Sequence, residues 1–77
     1  MTIYGSMLCP DCVECVKDLD AVGTAYTFCD FSENLAYLKT FLKLRDQNEI
    51  FEEVKQEGKI GIPCIVYDDG SVSLTWK

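Results

Sequence analysis

Histidine is absent from this chain, basic residues are few, and no apolar run is long. The first absence weakens any zinc reading, because structural zinc takes four ligands and the chain has no second Cys-x-x-Cys to complete a set. Seven Lys and Arg against thirteen Asp and Glu give a net charge of -6, with no basic cluster, so nucleic acid and anionic membrane surfaces are poor partners. Nothing approaches the roughly 20 apolar residues that span a bilayer. Met1 to Leu8 has neither a basic region nor an apolar segment long enough for export, so a cytoplasmic address is expected. Repeats, low-complexity tracts and linkers are also missing.

What remains is a sequence of ordinary globular composition, with 48% hydrophobic and 26% charged residues. Seventy-seven residues make one domain, 1–77, with a thin core, since a chain this short buries only about 60% of its unfolded surface. A monomer is expected. Five cysteines are an odd number, which fits badly with a secreted disulfide framework. In a reducing compartment such thiols stay free unless they do chemistry or bind metal.

Two of them stand in Cys9-Pro10-Asp11-Cys12, between a short apolar run and an amphipathic one. Proline is favoured at the first helical position, so Pro10 puts Cys9 at a helix N-cap and Cys12 one turn inside. There the free backbone N–H groups and the positive end of the helix dipole favour a thiolate on Cys9. Cys9 is thus the expected nucleophile, and Cys12 is placed to attack its sulfur from within. A Cys-x-x-Cys in a β-α-β pattern reads as a thioredoxin-like redox motif.

The rest of the chain agrees with that pattern. Thr2 to Met7 reads as a strand with Ile3 and Met7 on one face and Tyr4 on the other. Pro10 to about Ala21 reads as a helix with Val13, Val16 and Leu19 at helical spacing and Gly23 as its stop signal. Tyr26 to Phe31 gives a second strand. Ser32 then caps a helix carrying Leu35, Leu38, Phe41 or Leu42, and Arg45, and after a break at Asp46-Gln47-Asn48 the pattern restarts with Ile50, Phe51 and Val54 until Gly58. Ile62 to Tyr67 is a third strand, Asp69-Gly70 a tight hairpin turn, and Val72, Leu74 and Trp76 alternate along a fourth. The order is β-α-β-α-β-β, an α/β fold with a four-stranded sheet.

That order, with Cys9-Pro10-Asp11-Cys12 after the first strand and Gly61-Ile62-Pro63 opening the third, resembles the glutaredoxins of the thioredoxin-fold superfamily. The resemblance implies parallel first and second strands, an antiparallel hairpin of the last two in the same mixed sheet, and helices packed on it. It also implies a cis Pro63 lying against the active sulfurs. The chain resembles a short form of the family, because only Trp76 and Lys77 follow where the family has a Gly-Gly-x-x-Asp segment and a closing helix. Where the family carries a Lys before its first active cysteine stand Ser6, Met7 and Leu8, which leaves Lys59 as the cation for a glutathione carboxylate.

The resemblance and the residues together imply a thiol-disulfide oxidoreductase. Cys9 and Cys12 are the catalytic pair, Pro10, Asp11, Ile62 and Pro63 the substrate-binding residues, and Lys59 the contact to glutathione, a possible redox partner rather than a tightly bound cofactor. Substrates would be disulfides of proteins or small molecules, with a thiol reductant or a reductase to recycle the pair. Asp11 places a charge beside the thiolate; at about 7 Å in water the Coulomb term is roughly 0.6 kcal/mol, and about four times that at a dielectric near 20. It also suits the first turn of a helix.

Other readings stay open. Cys9-x-x-Cys12-x-x-Cys15 begins like a bacterial iron–sulfur run, although the fourth cysteine of that run is replaced by Leu19. A metal or iron–sulfur carrier using Cys9, Cys12 and Cys15 or Cys64 is one alternative, and a non-catalytic redox-sensing module is the other. Cys15, Cys29 and Cys64 read most simply as small core residues.

Overall fold

The computed structural model describes residues 1–76. Four strands and three α-helices follow one another as β1 (Thr2–Gly5), α1 (Pro10–Ala21), β2 (Thr27–Asp30), α2 (Leu35–Gln47), a 3-10 turn (Glu49–Phe51), α3 (Glu52–Gln56), β3 (Cys64–Val66) and β4 (Val72–Ser73). The sheet order is β2-β1-β3-β4. β1 runs parallel to β2, with Ile3 opposite Phe28, and antiparallel to β3, with Ile3 opposite Ile65 and Tyr4 opposite Cys64. β3 and β4 are antiparallel. The chain is therefore α/β with a mixed four-stranded sheet.

Alternation along the strands gives the sheet two buried faces. Ile3 and Ile65 point to one side, where Cys15 and Leu19 of α1 close over them together with Tyr26, Phe28 and Trp76. Cys64 points to the other side, against Phe41 of α2 and Phe51 of the 3-10 turn. The Phe41 and Phe51 rings meet edge to face at 6.0 Å, and Phe31 packs on Phe41 at 5.3 Å. Full burial of each such side chain stabilises the fold by about 1.5–3 kcal/mol. Trp76 Nε1 donates to Asp18 Oδ2 at 2.9 Å, which ties the last described residue to α1.

Glycines stop two of the helices. Gly23 takes φ +72, and behind it Thr24 N–H donates to the Leu19 carbonyl and Gly23 N–H to that of Asp20, a Schellman ending for α1. Gly58, at φ +75, does the same for α3 through Lys59 N–H to Val54 and Gly58 N–H to Lys55. The second ending sets the direction in which Lys59 to Pro63 return toward the sheet.

Several expected boundaries shift. β1 stops at Gly5, so Met7 lies beyond it and is 44% exposed rather than sharing the face of Ile3. The buried stripe of α1 is Cys12, Cys15 and Leu19, which turns Val13 outward. α2 is capped by Asn34, whose side chain accepts from Ala36 N–H at 2.9 Å; Ser32 is engaged elsewhere. Of the two alternatives on α2, Phe41 is in the core and Leu42 is exposed, and Leu35 is exposed as well. The β3–β4 loop has three residues, Asp68 to Gly70, since Tyr67 N–H reaches the Ser71 carbonyl and Gly70 N–H that of Tyr67; a turn ending in a left-handed glycine suits that length. β3 begins only at Cys64, and β4 ends at Ser73 before Leu74 and Trp76.

Candidate active site

Cys9 occupies the N-cap of α1 in extended conformation (φ -94, ψ 123), followed by Pro10 as the first helical residue. Its carbonyl accepts from Cys12 N–H at 3.1 Å and Val13 N–H at 3.2 Å, which opens the helix. No side-chain cap bond covers the N-terminus. Cys9 is half-buried and Cys12 fully buried one turn on. Burial pushes the Cys12 thiol up to about 12, opposed by donation from the Ser6 backbone N–H and reinforced by the charge of Cys9 and a hydrogen bond shared with it. The two thiols thus act on one another, one half-buried and one enclosed.

Gly5 makes the enclosure possible. A Cβ at that position would stand 2.7 Å from Cys12 Sγ, so a side chain there is incompatible with the sulfur where it lies. Gly5 is on the face of β1 that also presents Ile3 to α1, as the strand period requires.

The loop from Ser6 to Leu8, which carries Cys9, is pinned from the end of β2. Asp30 accepts from Met7 N–H at 3.2 Å and Ser32 N–H at 2.9 Å, and it also accepts from the Ser32 hydroxyl. Ser6 is buried; its hydroxyl donates to Ser32 Oγ at 3.1 Å and accepts from Leu8 N–H at 3.1 Å. Cys9 N–H donates to the Ser6 carbonyl at 3.0 Å. These bonds, led by that of Ser32, hold the Asp30 carboxyl below its ordinary range.

Beside Cys9 lies an open groove of about 500 Å³, lined by Cys9, Asp11, Val54, Gly58, Lys59, Ile60, Gly61, Ile62 and Leu74. It brings together Cys9, Asp11, Lys59 and Ile62 of the residues expected from sequence. Cys12 is fully buried and outside its lining. Pro10 is exposed outside its lining, and Pro63, joined to Ile62 by a cis peptide bond, is buried and also outside that lining. Gly61 has φ +94, and a Cβ on it would meet Phe51 Cδ1 at 2.7 Å, so the backbone entering Ile62 lies directly on the Phe51 ring. Lys59 Nζ pairs with Glu57 Oε2 at 3.0 Å, and this bond, with the nearby carboxylates of Asp11 and Glu53, raises its pKa. Arg45 Nη2 donates to the Lys59 carbonyl at 2.8 Å and so anchors the groove wall to the end of α2.

The other three thiols are buried, and Cys15 adds to the effect on Cys12. Cys15 is buried between α1 and the sheet, and burial raises its pKa, with Asp18 adding to the effect. Cys64, fully buried against Phe41 and Phe51, is pushed to about 11 by burial, and burial raises Cys29 too. Among the described residues no three Cys, Asp or Glu side chains converge on a point where they could share a metal ion. No helix among them is long and apolar enough to cross a membrane.

The sequence reading missed Gly5, Ser6, Asp30 and Ser32, together with the groove residues Val54, Gly58, Ile60 and Leu74. Gly5 left a signal, since a glycine inside a short strand often marks a close approach by another group. The serine and aspartate network joins positions too far apart in sequence to leave one.

No family model and no solved structure matches the chain. It is similar to an uncharacterized protein of Haemophilus influenzae, 36% identical over 72 residues that cover 94% of this chain and 84% of that one. With identity of that degree across nearly the whole domain, the chain belongs to the same family as the Haemophilus protein.

Proposed function

We propose that the protein is a thiol-disulfide oxidoreductase of glutaredoxin-like, thioredoxin-fold type, acting in the cytoplasm. One observation carries the reading: a partly exposed Cys9 stands at the bare N-terminus of α1, and Cys12 is fully buried one turn further along the same helix. The strand order and the Gly61-Ile62-Pro63 segment beside the groove support the fold assignment.

Cys9 Sγ, as thiolate, attacks one sulfur of a substrate disulfide. A Cys9–substrate S–S bond forms as the substrate's own S–S bond breaks, and the released thiolate takes up a proton. Cys12 then gives up its proton and attacks Cys9 Sγ, the mixed disulfide breaks, and the second substrate thiol leaves. Two electrons have passed to the substrate, and an outside dithiol, or two glutathione thiols, returns them to the Cys9–Cys12 bond. The surroundings time these steps. Burial is the main cause that keeps Cys12 protonated and the charge of Cys9 adds to it; that charge disappears once Cys9 is in a mixed disulfide, so Cys12 becomes easier to ionise when it is needed. The Ser6 backbone acts in the opposite sense to burial and favours the Cys12 thiolate.

The test is protein-dependent turnover of a protein disulfide in two arms, glutathione with its reductase and thioredoxin reductase alone, each compared with the same mixture lacking this protein. Catalytic reduction in either arm is the expected result. No turnover in both, with the thiols of Cys9 and Cys12 intact, would overturn the reading.

A further inference from the structure

We infer that the groove beside Cys9 selects disulfides carried on a polypeptide segment with a cationic side chain next to the cysteine, and that Asp11 makes the selection. The inference rests on the oxidoreductase reading above. Two charged side chains line the groove, Asp11 and Lys59. Lys59 already has a partner in Glu57 at 3.0 Å, with Glu53 and Asp11 acting on it as well. Arg45 is engaged with the Lys59 carbonyl. Asp11, by contrast, is exposed and has neither a hydrogen bond nor an ion pair among the described residues. It stands in the first turn of α1, two residues from Cys9, where the helix fixes its position.

An anionic substrate would have to compete with Glu57 for Lys59 and pass the Asp11 carboxylate, whereas a cation would give Asp11 the direct contact that it does not make with Lys59. The remaining walls suit the same occupant. Val54, Ile60, Ile62 and Leu74 offer apolar surface for the stem of a Lys or Arg and for its neighbours. A volume of about 500 Å³ is in the range that encloses a drug-sized ligand, which favours a peptide segment over a small aminothiol. The net charge of -6 draws cations from further away. Glutathione, a net anion, is the poorer fit.

The experiment uses pre-reduced full-length protein in single turnover, so no added reductant is needed: one dithiol is oxidised for each disulfide reduced. Three peptide disulfides are compared that differ only in the residue after cysteine (Lys, Gln or Glu), with glutathione disulfide as a fourth. In about 0.01 M salt, where screening acts over roughly 30 Å, the Lys peptide should react about fivefold or more faster than the Glu peptide, with glutathione disulfide slower than the Lys peptide. In about 1 M salt the ratio should fall below twofold. Asp11→Asn should bring the low-salt ratio below twofold, and Asp11→Lys should invert it. Because each ratio is taken within one variant, any change in the reactivity of Cys9 itself cancels. Equal rates, a preference for Glu, or a ratio that survives Asp11→Asn would overturn the inference while leaving the oxidoreductase reading intact. If none of the four disulfides is reduced, that reading falls and the inference with it.

Discussion

Gly5 and Cys12 are in such close apposition that a Cβ on the glycine would lie 2.7 Å from the cysteine sulfur. The sulfur sits on a short side chain held between β1 and α1, so it has little freedom to move aside. Gly5→Ala should therefore lift α1 or rotate Cys12 away from Cys9, destabilising the protein by about 1–3 kcal/mol, as overpacking in a core does. Urea denaturation measures that loss. The same variant should resolve mixed disulfides more slowly, so a Cys9–substrate adduct should accumulate on mass spectrometry. Normal stability together with normal resolution would show that the sulfur is seated elsewhere.

The pair is asymmetric, with one thiol half-buried and one enclosed, and substitution should separate their roles. Cys9→Ser should abolish attack on disulfides, because the remaining thiol cannot reach an outside sulfur. Cys12→Ser should still attack and then stall as a mixed disulfide at Cys9. Peptide mapping after reaction with a protein disulfide checks the site of the adduct, and an adduct on Cys12 in either variant would reverse the assignment.

Reduced protein should lose stability as the solution turns alkaline. Burial raises Cys12 to about 12 and Cys64 to about 11, whereas a free thiol ionises near 8.5. Their stabilising contribution is fully present below about pH 8.5 and is lost as pH rises through the folded values, since the unfolded chain then binds fewer protons. Between pH 9 and 10 each such thiol should remove about 1.4 kcal/mol per pH unit. Cys64→Ala should make that slope shallower by about this amount in urea midpoints taken across the window. An unchanged slope would mean that Cys64 ionises in the fold as readily as outside it.

Local signals in the sequence carried much of this architecture. Pro10 marked the start of α1 and placed Cys9 at its cap, and Gly23 and Gly58 marked helix ends because only a residue at ease with positive φ completes a Schellman ending. The face of α1 was harder to read. Val13, Val16 and Leu19 and the buried Cys12, Cys15 and Leu19 are both helical stripes, and only the docking of α1 on Ile3 and Gly5 decides between them. The cap of α2 was ambiguous for a related reason. Ser32 and Asn34 are both good caps, and Ser32 is occupied by Asp30 and Ser6. At the site, Cys9, Asp11 and Lys59 were legible as chemistry, but Val54 and Leu74 entered the groove only through the folding of distant segments.

The Asp30 carboxylate accepts from Met7 N–H and from Ser32, and Ser32 passes the connection to the buried Ser6 hydroxyl, which accepts from Leu8 N–H. One charged group at the end of β2 thus fixes the loop that delivers Cys9, although Leu8 in that loop is 86% exposed and gains little from packing. Asp30→Ala removes both carboxylate oxygens, the acceptors for Met7 N–H and for the Ser32 N–H and hydroxyl. Amide exchange at Met7 and Ser32 should then rise more than tenfold, a loss of about 1.4 kcal/mol in local protection, whereas the amides in the body of α1 should be unchanged because their bonds run within the helix. Acid should produce a weaker form of the same change. The Asp30 pKa is lowered in the fold, so its contribution is present above the unfolded value near 3.9 and is lost as pH falls through the folded one. Exchange at Met7 that is unaffected by Asp30→Ala would show that the loop is ordered without the carboxylate, and the delivery of Cys9 would then rest on the Pro10 helix start alone.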